Sequence, residues 1–325
     1  MTLLLRHEDV QAAIGMAEAI DAMEHAFLEE GRGHSVLPQR TNVKAGRGWL
    51  RVAPVVLEQS GWMGFKAMNL TPGQGVRYQV HLYRVANGEL VSIMDAQHLT
   101  TLRTGATSAV ATRRLARDEA TTVGVIGAGA EARAQAEAMH CIGVASSMRV
   151  FSRTPANRER LARELTTALG IDVQAVTTGR EAVAGAGVVV AAVKSAETVL
   201  LGEWLEPGVH VNSVGTARRD QREIDPRTFQ RSAVVIVDTR EGVFGEAGDA
   251  VAASEAGALD EQRIFELSAL VTGNAPGRRE TSDITLFKSV GTAVQDVAIA
   301  ARIFEQATTR GLGRDLGSFP ILKEA

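Results

Sequence analysis

The chain has a single cysteine, Cys141, in 325 residues. It can form no internal disulfide, and a thiolate-rich structural zinc site is excluded with it. Aromatic residues make up 4% of the chain, which leaves few platforms for stacking bases. No excess of positive charge exists either: 35 Lys and Arg stand against 38 Asp and Glu, a net charge of −3. Nothing in that balance would neutralise a phosphate backbone, so no nucleic-acid partner is expected. Long apolar runs are missing as well. The opening MTLLLRHEDV holds three leucines before Arg6, whereas a secretory leader takes about 7–15 apolar residues and a membrane span about 20. No membrane association is expected, and the chain reads as cytoplasmic. The seven histidines fall in no HxxxH or HExxH pattern, so no metal site is expected. The G-x-S-x-G elbow of a serine hydrolase does not occur.

What is present is ordinary globular material, 45% hydrophobic and 22% charged. The length suggests two domains, or one large one. Ala13, Met16, Ile20, Met23 and Phe27 recur at steps of three and four, which predicts helix through the first 35 residues, with Gly31 and Gly33 as a stop. From Pro38 to about Asp95, short apolar runs alternate with the turn signals SG, TPGQG and ANGE, the pattern of an antiparallel meander. Within GWMGFKAMN, alternation puts Phe65 and Ala67 on the face opposite Lys66, and one polar residue in such a strand ordinarily faces solvent. Residues 97–117 predict a helix capped by Asp95. Strand-like and helix-like segments then alternate from about 119 to 290, the mark of a parallel, doubly wound sheet. A last apolar-striped helix ends at Gly311.

The sharpest local motif is VGVIGAGAEA at 123–132, between a predicted strand and a predicted helix. Gly127 permits the tight turn. Gly129 lets backbone approach a pyrophosphate whose charge rests on the helix start at Ala130, and Ala132 fills the third, small position. In the NAD version of this motif a carboxylate at the end of the next strand bonds the ribose 2′-hydroxyl. Here that place is held by Ser152, Arg153 and Thr154. A cation with two hydroxyls suits a 2′-phosphate, so NADP(H) is expected over NAD(H).

A hydride-transfer site must also hold its substrate. Arg40, Lys66 and Arg103 are candidates. Each alone reads as a surface residue; together they would clamp a carboxylate. Their spacing leaves open whether they converge.

The chain resembles the ornithine cyclodeaminase/μ-crystallin family over essentially its whole length. The matching stretches are PQRT at 38–41, GFKAMN at 64–69, IMDAQHLTTLRTGATSAVAT at 93–112, VGVIGAG at 123–129, LGEWLEPGVHVNSVG at 201–215, REID at 222–225 and TLFKSVGTAVQD at 285–296. FSRTPAN and GTARRDQREID are most similar to the μ-crystallin branch, which reduces ketimines with NADPH. The resemblance implies an α/β fold in two parts. A Rossmann-type doubly wound domain would span 116–300. An N-terminal α+β substrate-binding and dimerisation domain, 1–115, would be completed by the C-terminal helix and residues 301–325. The active site would lie in the crevice of such an assembly. By motif, Arg40 and Arg103 would hold a substrate carboxylate, with Lys66 beside the reacting carbon. Thr104 and Gly215 would lie along the cofactor, and Lys288, Ser289 and Val290 near its nicotinamide end.

One departure bears on the reaction. Cyclodeaminases carry an acidic residue two places after the glycine matching Gly215; here that place is Ala217. Alanine can neither take a proton nor hold an ammonium. The expectation is therefore an NADP-dependent reductase of a C=N bond next to a carboxylate, in a homodimer. Its substrate would be a small anionic imine, or a 2-oxo acid plus an amine. The alternatives are a cyclodeaminase with tightly held NAD, and a non-catalytic crystallin-like protein that binds a dinucleotide or a small acid.

Overall fold

The structure, a computed structural model, describes residues 1–46 and 48–318. The chain divides into two compact units, one of Met1–Arg103 with the chain from Thr292 onward, the other of Thr104–Gly291.

The first unit is built on a mixed sheet. Its elements are β1 (Leu3–Leu5), α1 (His7–Ala13), α2 (Met16–Gly31), β2 (Ser35–Val36), β3 (Thr41–Ala45), β4 (Gly48–Leu57), β5 (Trp62–Thr71), β6 (Gly75–Arg84) and β7 (Leu90–Asp95). The helix α3 (Gln97–Leu115) follows. The expected meander is there, with β4, β5, β6 and β7 pairing in sequence and antiparallel. The three leucines near the N-terminus form β1, which lies parallel to β7. The continuous N-terminal helix that the periodicity predicts is instead two helices. Ile14 takes an extended conformation, and the Gly15 N–H donates to the Glu18 carboxylate at 2.8 Å, which starts the second helix afresh. Asp95 does receive the first turn of α3: its Oδ1 accepts the Gln97 N–H at 3.1 Å.

The second unit continues with β8 (Thr122–Ile126), α4 (Ala130–Cys141), β9 (Ser147–Phe151), α5 (Pro155–Leu169), β10 (Asp172–Ala175), α6 (Gly179–Val183), β11 (Val188–Ala191) and β12 (His210–Ser213). Then come α7 (Pro226–Arg231), β13 (Val234–Val237), α8 (Arg240–Glu246), α9 (Gly248–Glu255), β14 (Ile264–Glu266), α10 (Leu267–Val271) and β15 (Thr285–Lys288). The strands lie in the order β10-β9-β8-β11-β12-β15-β13-β14, and every pair is parallel. Runs such as VVVA and VVIV are buried at every position, as strands covered on both faces must be. Strand order reverses between β8 and β11, so the crevice for a ligand in such a sheet opens at their carboxyl ends.

The first unit is completed by α11 (Ala293–Arg310) and β16 (Arg314–Asp315), the latter antiparallel to β1. The division falls at 103/104 and 291/292, in both cases about ten residues earlier in the chain than the boundaries read from the sequence, for a local reason. Beyond Arg103, α3 is bonded into the second unit: the Thr104 carbonyl accepts from Gln135, the Thr112 hydroxyl from Asn212 and the Leu115 carbonyl from Thr285. A break at 300 would cut α11, whose two ends both lie on the first sheet. Val297 sits beside Gly64, and Phe304 packs edge-on against Trp62 at 5.9 Å. Residues 319–325 of the expected C-terminal part lie outside the described residues. Among the described residues, no helix is long and apolar enough to cross a membrane, and no cluster of His, Cys, Asp and Glu could hold a metal ion.

Candidate active site

In the second unit the glycine turn after β8 has the conformation that its motif requires. Gly127 lies at φ +133°, and a Cβ there would sit 2.6 Å from the Ala192 carbonyl oxygen. Its N–H donates to the Phe151 carbonyl at 2.9 Å, which ties the turn to the end of β9. Ala132 is fully buried and would be 3.3 Å from such a Cβ, so the third position of the motif is small by necessity. Gly129 differs. It precedes Ala130 at the start of α4, and a Cβ on it would meet nothing within 4 Å. Open space over the exposed N–H groups of a helix start fits a pyrophosphate.

The end of β9 carries Ser152, Arg153 and Thr154 ahead of Pro155 in the first turn of α5. Arg153 and Thr154 are exposed. Arg158, which sequence reasoning did not single out, donates from Nη1 to the Ser152 carbonyl at 3.0 Å. A second guanidinium thus stands at the same turn, and no carboxylate occupies it.

Behind the ends of β11, β12 and β15 lies a buried polar cluster. The Lys288 ammonium is fully enclosed. It donates to Ser213 Oγ at 2.9 Å, Thr216 Oγ1 at 2.8 Å and Asp249 Oδ2 at 2.9 Å, with Glu223 Oε1 at 3.5 Å. Glu223 in turn accepts the N–H groups of Val193 and Gly215, at 3.1 and 2.8 Å. Burial pushes its carboxyl up against the pull of Lys288. A Cβ on Gly215 would run into the Val193 backbone and Glu223. Ser289 Oγ and the N–H groups of Val290 and Gly291 all donate to Asp238 at the end of β13. Glu223, Asp238 and Asp249 were not legible as partners because they come from separate connections of the sheet. Of the residues after Gly215, Ala217 is half-buried. Asp220, the next carboxylate along the chain, is exposed and forked by Arg218 at 2.9 and 2.6 Å.

In the first unit the structure brings the three cations together. Lys66 does not face solvent as a lone polar residue in a strand ordinarily would. It is 5% exposed and pairs in register with Ala53 and Val80, on the face that α11 covers. Its Nζ lies 2.6 Å from Asp296 Oδ2. The other oxygen of Asp296 accepts Arg103 Nε at 3.1 Å, and Arg103 Nη1 donates to Gln295 Oε1 at 2.8 Å. The Tyr78 ring centroid is 6.0 Å from the Lys66 ammonium. Arg40, half-buried in the stretch before β3, is close enough that its charge acts on Lys66. Burial lowers the Lys66 value to about 8; Asp296 pulls it back up, and Arg103 and Arg40 push it down. Asp296 is the mirror case: burial raises it, but Lys66 and Arg103 hold it below the usual carboxylate range. Asp296 and Gln295 were missed as site residues. The available signal was a charged and an amide residue inside the apolar stripe of α11, between Val294 and Val297.

The chain is similar to known proteins along nearly its whole length. A ketimine reductase mu-crystallin from Macropus fuliginosus is 32% identical over 321 residues, covering 94% of this chain and 98% of its own. The solved structure of Thermococcus litoralis Δ1-pyrroline-2-carboxylate reductase, in complex with NADH and L-proline, matches with a TM-score of 0.92 at 35% identity. It covers 97% of this chain and 100% of that one. An archaeal alanine dehydrogenase dimer with bound NAD matches at 0.91 and 28% identity, over 98% and 99% of the two chains. The family model for ornithine cyclodeaminase/mu-crystallin matches residues 1–311. With the glycine turn, the cation cluster and this agreement along nearly the whole length, the chain belongs to the ornithine cyclodeaminase/mu-crystallin family.

Proposed function

We propose that this protein reduces a C=N bond adjacent to a carboxylate, with NADPH as reductant. Cyclic ketimines such as piperideine- or pyrroline-2-carboxylate lead as substrates, with open-chain 2-imino acids, formed from a 2-oxo acid and an amine, close behind. The coarser part stands on the family and its named reductases and dehydrogenases: the chain is an NAD(P)-dependent oxidoreductase acting on C–N bonds. The observation that carries the finer reading is the pairing of Lys66 and Arg103 on one buried carboxylate, Asp296, with the charge of Arg40 acting on Lys66.

Arg40 and Arg103 bind the substrate carboxylate through charge-assisted hydrogen bonds. Lys66 faces the imine and supplies, or orders, the proton that nitrogen takes as C2 is reduced. Its value of about 8 suits that task, since it both keeps and releases a proton near neutral pH. The turn at Gly127 and Gly129, with the start of α4, holds the dinucleotide pyrophosphate, and Thr104 and Gly215 lie along the same ligand. Lys288, Ser289 and Val290 shape its nicotinamide end; for Lys288 this is indirect, because its ammonium is turned into the buried cluster. Bound there, reduced nicotinamide supplies the hydride. Ser152, Arg153 and Thr154, with Arg158 at the same turn, favour a 2′-phosphate, and this supports NADPH over NADH. Ala217 argues against the ammonia-releasing cyclisation.

A homodimer is part of this reading. On β4 and β5, the face opposite Lys66 carries Val52, Pro54, Val56, Met63 and Phe65, all half-buried in the single chain. A second copy would cover such a face. Light scattering at micromolar concentration should report twice the chain mass.

The deciding assay is loss of NADPH absorbance with a panel of cyclic imines and of 2-oxo acids plus ammonia or methylamine, run in parallel with NADH. NADPH-dependent turnover of at least one imino acid is expected. No turnover across the panel, or ammonia release from a diamino acid without net cofactor change, refutes the reading.

A further inference from the structure

Asp296 stands in the first turn of α11, where the helix N-terminus favours a carboxylate. It is 2% exposed, and both its oxygens are taken by cations of the cluster, Lys66 on one and Arg103 on the other. Its neighbour Gln295 takes a second donor of the same guanidinium. Two consecutive residues of α11 thus fix Arg103 at Nε and Nη1, and one of them also fixes Lys66. The groups around the Lys66 ammonium come from four directions: Asp296 on α11, Arg103 on α3, Arg40 ahead of β3 and the Tyr78 ring on β6. Of these, Asp296 is the one negative charge; two are positive and the last is an uncharged ring. A buried ammonium beside two guanidiniums would shed its proton without that counter-charge.

We propose that Asp296 is the positioning residue of this site: it keeps Lys66 charged and aimed, and anchors Arg103 so that the guanidinium meets the substrate carboxylate in one fixed orientation. The inference rests on the imine-reductase reading for what Lys66 then does. In that step an N–H bond of the Lys66 ammonium breaks and one forms on the imine nitrogen. C2 takes the hydride of the reduced nicotinamide, and Lys66 regains its proton from water. Asp296 stays ionised throughout and carries no proton.

The test follows Lys66 itself as well as turnover. Competitive acetylation of the full-length protein without substrate, read at the Lys66 peptide by mass spectrometry, reports the pH at which that amine becomes neutral. In the wild type the midpoint should fall near 8. In Asp296→Asn it should fall lower, with the basic limb of the kcat profile moving the same way by about one pH unit or more. KM for the imino acid should rise about 10-fold as Arg103 loses its anchor. Asp296→Glu keeps the charge and should restore the limb while leaving KM raised. A labelling midpoint and basic limb that do not move in Asp296→Asn overturn the inference. If that variant does not fold, Asp296→Glu decides: a wild-type limb with a raised KM supports the assignment, and a limb displaced to lower pH overturns it. Should labelling shift as expected while the wild type turns over no imine, the reductase reading fails and the hold of Asp296 on Lys66 stands.

Discussion

The Lys66 ammonium meets Asp296 at 2.6 Å although the two residues belong to opposite ends of the chain, one on the second long strand of the meander and one on the last helix. The pair exists because Lys66 points to the covered face of the sheet. Replacing Lys66 by Met removes the group proposed to manage the substrate proton, and kcat for imine reduction should fall about 100-fold or more. Lys66→Arg should not rescue it, since a guanidinium does not give up a proton near neutral pH. Steady-state assays on both variants check this, with circular dichroism to confirm the fold. Turnover left intact by Lys66→Met would remove that lysine from the mechanism.

The proposed preference for NADPH is tested at the exposed Arg153 past β9. Arg153→Ala should raise KM for NADPH about 10-fold or more and leave KM for NADH nearly unchanged, because only the former carries the phosphate that the guanidinium would bind. The ratio of the two KM values is the measurement. An equal effect on both cofactors would make Arg153 a bystander.

The two glycines of the turn should respond differently to the same substitution. Gly127→Ala forces a Cβ to within 2.6 Å of the Ala192 carbonyl at φ +133°, and should destabilise the second unit itself. Gly129→Ala adds a methyl group to open space, so the melting temperature without ligand should hold. The rise in melting temperature that NADPH confers should shrink, because the methyl occupies the approach to the start of α4. Differential scanning fluorimetry with and without NADPH separates the cases.

Acid should loosen the second unit before most carboxylates titrate. His210 is fully buried, with Nδ1 2.9 Å from Thr285 Oγ1 and Nε2 3.2 Å from Asn212 Oδ1. Burial first, and then the nearby Arg278 charge, lower it from 6.5 to about 3. Between those two values the unfolded chain binds a proton that the folded chain does not. Stability is therefore full above 6.5 and falls as pH drops toward 3. At pH 5 the loss should be about 2 kcal/mol relative to neutral pH. Urea titrations at several pH values measure it, and His210→Asn should flatten the slope between pH 6.5 and 5.

Much of the fold could be read along the chain because periodicity and turn chemistry are local. The alternation after residue 119, Pro155 opening α5 and the glycine turn after β8 all depend on neighbours within a few residues. The break at Gly15 escaped for the opposite reason: apolar spacing continues across it, and only the Glu18 side chain reaching back to the Gly15 N–H restarts the helix. Thr104 and Leu115 read as one helix, and so they are, but which unit each end is bonded to depends on Gln135 and Thr285, far along the chain.

By itself the order of residues determined the architecture class, the dinucleotide turn and the three cations as candidates, since each rests on residue type and short-range spacing. Only the tertiary structure decided that Lys66 faces inward, that Asp296 and Gln295 join it, and that the Lys288 ammonium is turned into a buried cluster with Glu223 and Asp249. Charge pairing across hundreds of residues has no periodic signature. It is set by which faces of strands and helices are pressed together, and that is known only once the chain has packed.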